Sequence, residues 1–307
     1  MADILCLGEP LGEFVREPDG RWRMGFGGDT SNAAMAAARQ GASVGYLGAL
    51  GTDLFGDGIV AHWAEEGVSA ASVLRNPDAP TGLNFIEPDP AARRFTYVRK
   101  GSAASLYGPD DLDLPAIRAA KVLHLSGITL AVSPTLRAAG FAAMRAAREA
   151  GVRVSLDTNL RLALWRAEEA RRVLEEAAAL ADVLVTSLDD CRALMGLGAA
   201  DAVIDAFAAL GPSILIVTDG ANGARIAAVG RRETISPAPA TPVDSTGAGD
   251  SFSGAFHAWM LETGDAFEAG RRAAIVAAGT VSGYGATDPI PRREAVLAAL
   301  GAQERGA

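Results

Sequence analysis

Asp244-Ser245-Thr246-Gly247-Ala248-Gly249-Asp250-Ser251-Phe252 is the stretch from which the rest of the chain can be read. Two glycines flank one small residue, and the apolar spacing from Ala248 to Leu261 is that of a helix. The first N–H groups of a helix have no partner of their own and the helix dipole favours negative charge there, so a glycine turn into a helix start is an anion site. Glycine also lets the backbone approach a phosphate closely. An acid beside such a site, here Asp250, is placed to take a proton from a hydroxyl that attacks phosphorus. The same residues equally suit an aspartate that only caps a helix, and locally both readings stay open.

Upstream, apolar runs alternate with helical patterns. Ile4 to Leu7, Ser43 to Leu47, Val122 to Leu125, Val152 to Leu156, Val183 to Val185 and Ile214 to Val217 read as buried strands. Ser31 to Arg39, Phe55 to Glu66, Leu136 to Glu149 and Glu168 to Leu180 read as helices, and downstream so do Ala266 to Val281 and a segment from Pro291 to about Leu300. Short apolar strands separated by amphipathic helices predict an α/β fold with a mostly parallel central sheet covered on both faces. Two segments break the rhythm. A hairpin is expected around Pro18-Asp19-Gly20. Further strands are expected at Ala71 to Leu74, Gly82 to Glu87 and Arg94 to Val98, with turns at Asn76-Pro77-Asp78 and Pro88-Asp89-Pro90. Lacking helices between them, they predict a small inserted β-sheet; Gly301 to Ala307 reads as a frayed tail.

Composition narrows the function. A net charge of -9 argues against a nucleic-acid partner, which would need a basic stripe. No basic leader or long apolar window is present, so a cytoplasmic location is expected. Cys6 and Cys191 form no CxxC pair, and His62, His124 and His257 lack metal-site spacing. A Walker A loop needs Gly-Lys-Ser/Thr, whereas Lys100 and Lys121 follow Arg and Ala. The protein-kinase signatures are missing. Gly25-Phe26-Gly27-Gly28 is half a dinucleotide fingerprint with Thr30 where the last glycine belongs, which disfavours an NAD-dependent oxidoreductase.

Gly27-Gly28-Asp29-Thr30-Ser31-Asn32-Ala33-Ala34 resembles the N-terminal signature of ribokinase-like (PfkB-type) sugar kinases. Gly45 to Gly56, with Gly51-Thr52-Asp53-Leu54-Phe55-Gly56, resembles that family's next strand–turn–helix, and Asp244 to Asp250 its C-terminal signature. The motifs stand in the family's order at opposite ends of the chain. The resemblance implies one kinase domain over residues 1–307, with a β-lid built from about 12–26 and 71–100. It implies Asp250 as the base, and the N–H groups of Gly247, Ala248 and Gly249 as the anion hole. It also implies ATP held near Ser187, Thr218, Gly220, Gly223, Gly249 and Gly285, with Mg²⁺. Thr218 to Ala224 read unaided is a β-turn between two strands. Where many relatives carry Asn-x-x-Glu, this chain has Ser187-Leu188-Asp189-Asp190, so Asp190 is expected to meet Mg²⁺ only through water. Asp244 and Thr246 match positions that line a monovalent-cation (K⁺) site in several members.

Ser187-Leu188-Asp189-Asp190, Phe95 to Ala103 and Asp157 to Trp165 resemble the 2-keto-3-deoxygluconate kinase branch of that family. A substrate carboxylate calls for arginine, and Arg99 and Arg161 are the candidates. Gly28, Asp29, Asn32, Asn84 and Tyr97 complete the expected sugar contacts; Asn84 stands where that branch often has Tyr. A kinase for a neutral sugar or a nucleoside is the main alternative, and a non-catalytic sensor a weaker one. A homodimer through the lid is expected.

Overall fold

The computed structural model describes residues 2–87 and 94–306, with backbone only for 303–306; Pro88-Asp89-Pro90 lies outside these. Among the described residues fourteen strands are formed: β1 Ile4–Leu7, β2 Leu11–Arg16, β3 Trp22–Gly27, β4 Val44–Gly51, β5 Val68–Ser69, β6 Val73–Asn76, β7 Gly82–Glu87, β8 Arg94–Val98, β9 Val122–Ser126, β10 Arg153–Asp157, β11 Val183–Ser187, β12 Ile214–Thr218, β13 Ala224–Ala228 and β14 Arg231–Ile235. The large sheet runs β14-β13-β12-β11-β10-β9-β1-β4-β5. It is parallel from β12 through β5 and antiparallel at β12-β13-β14.

Both faces of this sheet are covered, as its apolar strands require. Leu5, Leu7, Leu123, Leu125, Val154 and Leu156 pack on one side, beneath helices Pro134–Glu149, Ala167–Ala178, Leu188–Met195 and Ala200–Ala208. Ile4, Cys6, Val122, Val183, Val185 and Ile216 face the other side, against helices Asp29–Arg39, Leu54–Glu66, Ala248–Thr263 and Ala266–Val281. This alternation is the two-residue period of a strand. Helices Asp29–Arg39 and Ala248–Thr263 approach so closely that a Cβ on Gly254 would come 2.0 Å from the carbonyl oxygen of Ala33. That contact brings the two glycine signatures together.

β1 lies between β4 on one side and β9 on the other. The chain winds outward from β1 in both directions, and a crevice opens at the carboxyl ends of the strands where winding reverses. Residues following β1, β9, β10, β11 and β12 therefore share one rim.

The small sheet has the order β3-β2-β7-β8. β6, which the sequence reading grouped with it, instead pairs in parallel with β4. The separation from β4 by helix Leu54–Glu66 is that of a β-helix-β crossover, so the main sheet claims it. In the small sheet Glu13 faces Asn84, and Asn84 faces Tyr97, in one register row. The C-terminal segment also differs from expectation. A helix spans Arg293–Gly306, starting two residues after Pro291 and continuing into the stretch read as frayed as far as Gly306. Among the described residues no helix is long and apolar enough to cross a membrane.

Candidate active site

A cavity of about 740 Å³ lies between the small sheet and the carboxyl ends of the large sheet's strands. That size suits a small-molecule site. Gly28, Asp29, Asn32, Asn84, Tyr97, Arg99, Arg161, Ser187, Asp190, Thr218, Thr246, Gly247, Ala248, Gly249 and Asp250 all line it.

Gly247 caps helix Ala248–Thr263 in a left-handed conformation (φ 75°), where a Cβ would also come 2.6 Å from the Ala286 carbonyl oxygen. Glycine is required there on both counts. No acceptor among the described residues meets the first-turn N–H groups of Gly249 and Asp250, and a Cβ on Gly249 would meet nothing within 4 Å. Both residues line the cavity.

Asp250 does not cap its helix. Its Oδ2 accepts from Asn32 Nδ2 at 2.8 Å and its Oδ1 from Asn159 Nδ2 at 3.3 Å. Burial and the neighbouring Asp29 push its carboxyl up to about 7; Asn32, Arg161 and Asn159 oppose the rise. A carboxylate that titrates near neutrality is matched to general-base work. Asp157, buried at the end of β10, is pushed up to about 8 by burial and by Asp250 and Asp190.

Arg99 is not a surface arginine. Its guanidinium stacks 3.8 Å from the Tyr97 ring centroid, and Nη1 lies 3.3 Å from Glu9 Oε2, although neither atom makes an aligned hydrogen bond. Burial pushes the Glu9 carboxyl up to about 7, with Arg99 opposing. Arg161 is exposed at the rim; burial raises the pKa of both Asp250 and Tyr97, and the Arg161 charge opposes that rise in each. Asn84 is buried with Oδ1 unpartnered.

Four predicted residues stand outside the cavity lining. Gly220 and Gly223 belong to a 3-10 turn joining β12 to antiparallel β13, beyond Thr218. Gly285 N donates to Asp244 Oδ2 at 3.1 Å, while Asp244 Oδ1 accepts from Thr246 N at 2.8 Å. Asp190 Oδ2 accepts from Leu160 N (3.0 Å) and Thr158 Oγ1 (3.2 Å), which ties it to the loop after β10. No group of three or more His, Cys, Asp or Glu among the described residues is gathered as a metal site.

Sequence reasoning missed Glu9, Glu13, Asp157 and Asn159, all of which line the cavity. Glu9 follows the first buried strand, and Asn159 follows Asp157 at the end of another. A polar residue just past a parallel strand was the available signal.

A family model described as pfkB family carbohydrate kinase matches residues 1–293. A 2-dehydro-3-deoxygluconokinase of Thermoproteus tenax is 35% identical over 85% of this chain and 82% of its own length. A probable fructokinase-4 of Arabidopsis thaliana is 38% identical over 82% of this chain and 80% of its own. The crystal structure of a fructokinase with bound ATP from Xylella fastidiosa superposes with a TM-score of 0.90 at 27% identity, covering 99% of this chain and 100% of that one. With the fold, the two glycine signatures and this match over nearly its whole length, the chain belongs to the pfkB family of carbohydrate kinases, phosphotransferases with an alcohol group as acceptor.

Proposed function

We propose that the protein transfers the γ-phosphoryl group of ATP to the terminal hydroxyl of a keto-deoxy sugar acid, with 2-keto-3-deoxygluconate as the preferred substrate. The observation that carries this reading is one cavity holding a buried carboxyl raised to about 7, a helix start with unpartnered N–H groups beside it, and two arginines. Asp250 takes the proton of the attacking hydroxyl. The N–H groups of Gly247, Ala248 and Gly249 receive the phosphoryl oxygens, Ala248 N first giving up the 3.4 Å bond it donates to Ser245 O; fixed donors of this kind stabilise developing charge. Arg161 and Arg99 hold the sugar carboxylate, Tyr97 offers its ring and hydroxyl, and Gly28, Asp29, Asn32 and Asn84 take the hydroxyls. The small sheet covers the sugar and keeps water from competing as acceptor.

ATP lies along Ser187, Thr218 and Gly249, with the Gly220–Asn222 turn, Gly223 and Gly285 flanking its base. The donor chemistry fits the nucleotide's metal: Asp190, with one oxygen already committed to the loop, would hold magnesium through water, and the ion would neutralise phosphate charge. The ordered Asp244–Thr246 turn would hold a potassium-sized ion. The relatives' names support the substrate class, and the ATP-bound fructokinase supports the nucleotide. We place the enzyme in the cytoplasm, which supplies ATP.

A second reading, a neutral ketohexose such as fructose, is favoured by the Glu9 carboxyl beside Arg99 and by the fructokinase relatives. Turnover of 2-keto-3-deoxygluconate, fructose, ribose and adenosine with ATP and Mg²⁺ separates the two. The keto acid is expected to have the highest kcat/KM. Preference for fructose, ribose or adenosine overturns the acid-sugar reading and keeps the kinase; no turnover of any leaves a different acid sugar or a sensor, which a wider acid-sugar panel separates.

The outer face of the small sheet carries Trp22, Met24 and Val98, all more than 40% exposed. A second copy seated there would bury them. Light scattering is expected to give the mass of two 31.5 kDa chains; a monomer at micromolar concentration overturns the dimer.

A further inference from the structure

Asn159 is one of only two non-glycine residues with positive φ among those described (32°), two residues past the end of β10. Asparagine tolerates this region better than most residues, yet it is still an unusual conformation. Something must hold it. Asp157 does, from two sides: its Oδ1 accepts from Asn159 N at 3.1 Å, and its Oδ2 accepts from Ser253 Oγ at 3.0 Å. Ser253 lies three residues past Asp250 on the same helix. The loop is also pinned by Thr158 N donating to Val185 O at 2.9 Å and by Leu160 N donating to Asp190 Oδ2.

The Asn159 amide is thereby aimed back at the helix. Its Nδ2 donates to Asp250 Oδ1 at 3.3 Å and to Asp29 Oδ2 at 3.1 Å. Loop and helix are joined at two points, and between them the two carboxylates at the reacting end share one neutral donor. Like charges this close repel, and a shared N–H is what keeps both in place without adding a cation that would neutralise the base. Asn32 grips the other oxygen of Asp250. The carboxylate is thus bracketed, so its orientation is set before any sugar arrives.

We propose that Asn159, held by Asp157, is a positioning residue that orients Asp250 and keeps Asp29 beside it. This rests on the reading of Asp250 as the base, and it deepens it. It acts through Asp250, so it differs from the residues assigned to the sugar itself.

The groups facing Asp250 are Asp29 and Asn32 from helix Asp29–Arg39, Asp157 from β10, and Asn159 and Arg161 from the loop that follows. Removing the Asn159 donor removes one of the contacts that favour the ionised form of Asp250.

The test uses Asn159→Gly, which relieves the backbone while deleting the amide, and Asn159→Asp, which keeps the shape and reverses the polarity. Each is compared with wild type in steady-state kinetics, in thermal stability, and in a carboxyl ¹³C NMR titration of the free protein, with Asp250 assigned by its absence in Asp250→Asn. For Asn159→Gly we expect kcat to fall roughly 10-fold, KM for ATP to hold, and the melting temperature to stay near wild type. The Asp250 titration and the acid limb of kcat/KM should move together to higher pH. Asn159→Asp should lose more, since it sets a third carboxylate against the pair. A wild-type titration of Asp250 in Asn159→Gly overturns the proposal, whatever the enzyme turns over; so does a loss confined to stability. If the titration moves while no sugar is a substrate for wild type, Asn159 positions Asp250 and it is the catalytic reading that falls.

Discussion

Asp250→Asn will lower kcat by about 10²–10⁴-fold, the contribution of a positioned general base, and will make the folded protein more stable in alkaline buffer. The two effects have one origin. Burial and Asp29 raise the Asp250 carboxyl from 3.8 to about 7. A carboxyl whose folded pKa is raised binds its proton more tightly in the folded state. That contribution is complete below about 3.8 and is lost as the pH climbs through about 7, where a buried anion must be carried. Part of the gain is given back, because the new amide sets a donor against Asn32 or Asn159. The variant should therefore melt above wild type at pH 8, with the gain shrinking as the pH falls toward 5. Steady-state kinetics and melts across that range check both halves. A variant that keeps turnover within 3-fold of wild type would remove Asp250 from the mechanism. In wild type, kcat/KM should rise with pH through about 7 as the base ionises.

Arg161→Gln should cost the keto acid about 10–100-fold in kcat/KM and fructose less than about 3-fold, because a charge-assisted hydrogen bond to a carboxylate is roughly twice as strong as a neutral one. Arg161 is the better probe because it sits exposed at the rim, donates to the Leu160 carbonyl at 2.9 Å, and acts on the Asp250 carboxyl equally for both sugars, so the ratio of the two losses reads the carboxylate contact. Arg99 is not, since its loss would strand the buried Glu9 carboxyl and destabilise the fold whatever the substrate. Equal losses for acid and neutral sugar would show that Arg161 does not read a carboxylate. Glu9→Gln sharpens the contrast: relieved of its partner, Arg99 becomes a stronger carboxylate site, so the preference for the acid should grow.

Local chemistry was legible residue by residue. Gly247 needs a left-handed backbone to start a helix, and the run from Ala248 onward makes that helix from its own spacing. The buried strands announce themselves by continuous apolar runs, and Ile4–Leu7 divides its side chains between two cores by the two-residue period alone. None of this depends on a distant residue. Even so, β6 escaped, because Val73–Asn76 has the same composition whether it joins the small sheet or β4. Strand pairing is decided by which edge is free, and that lies elsewhere in the chain.

The site divides the same way. The sequence alone determined that a helix start with an adjacent acid, a glycine pair near the N-terminus and two arginines were present. Only the tertiary structure decided which groups surround them. Asn32, Asn159 and Asp250 come from segments separated by more than 90 positions, and they meet because β1 and β10 both flank β9 while two helices close to backbone contact at Gly254. The raised carboxyls of Asp250, Asp157 and Glu9, and the partner that Glu9 gives Arg99, follow from that convergence. A pKa is set by burial and by charges in space, and a single chain read in order contains neither.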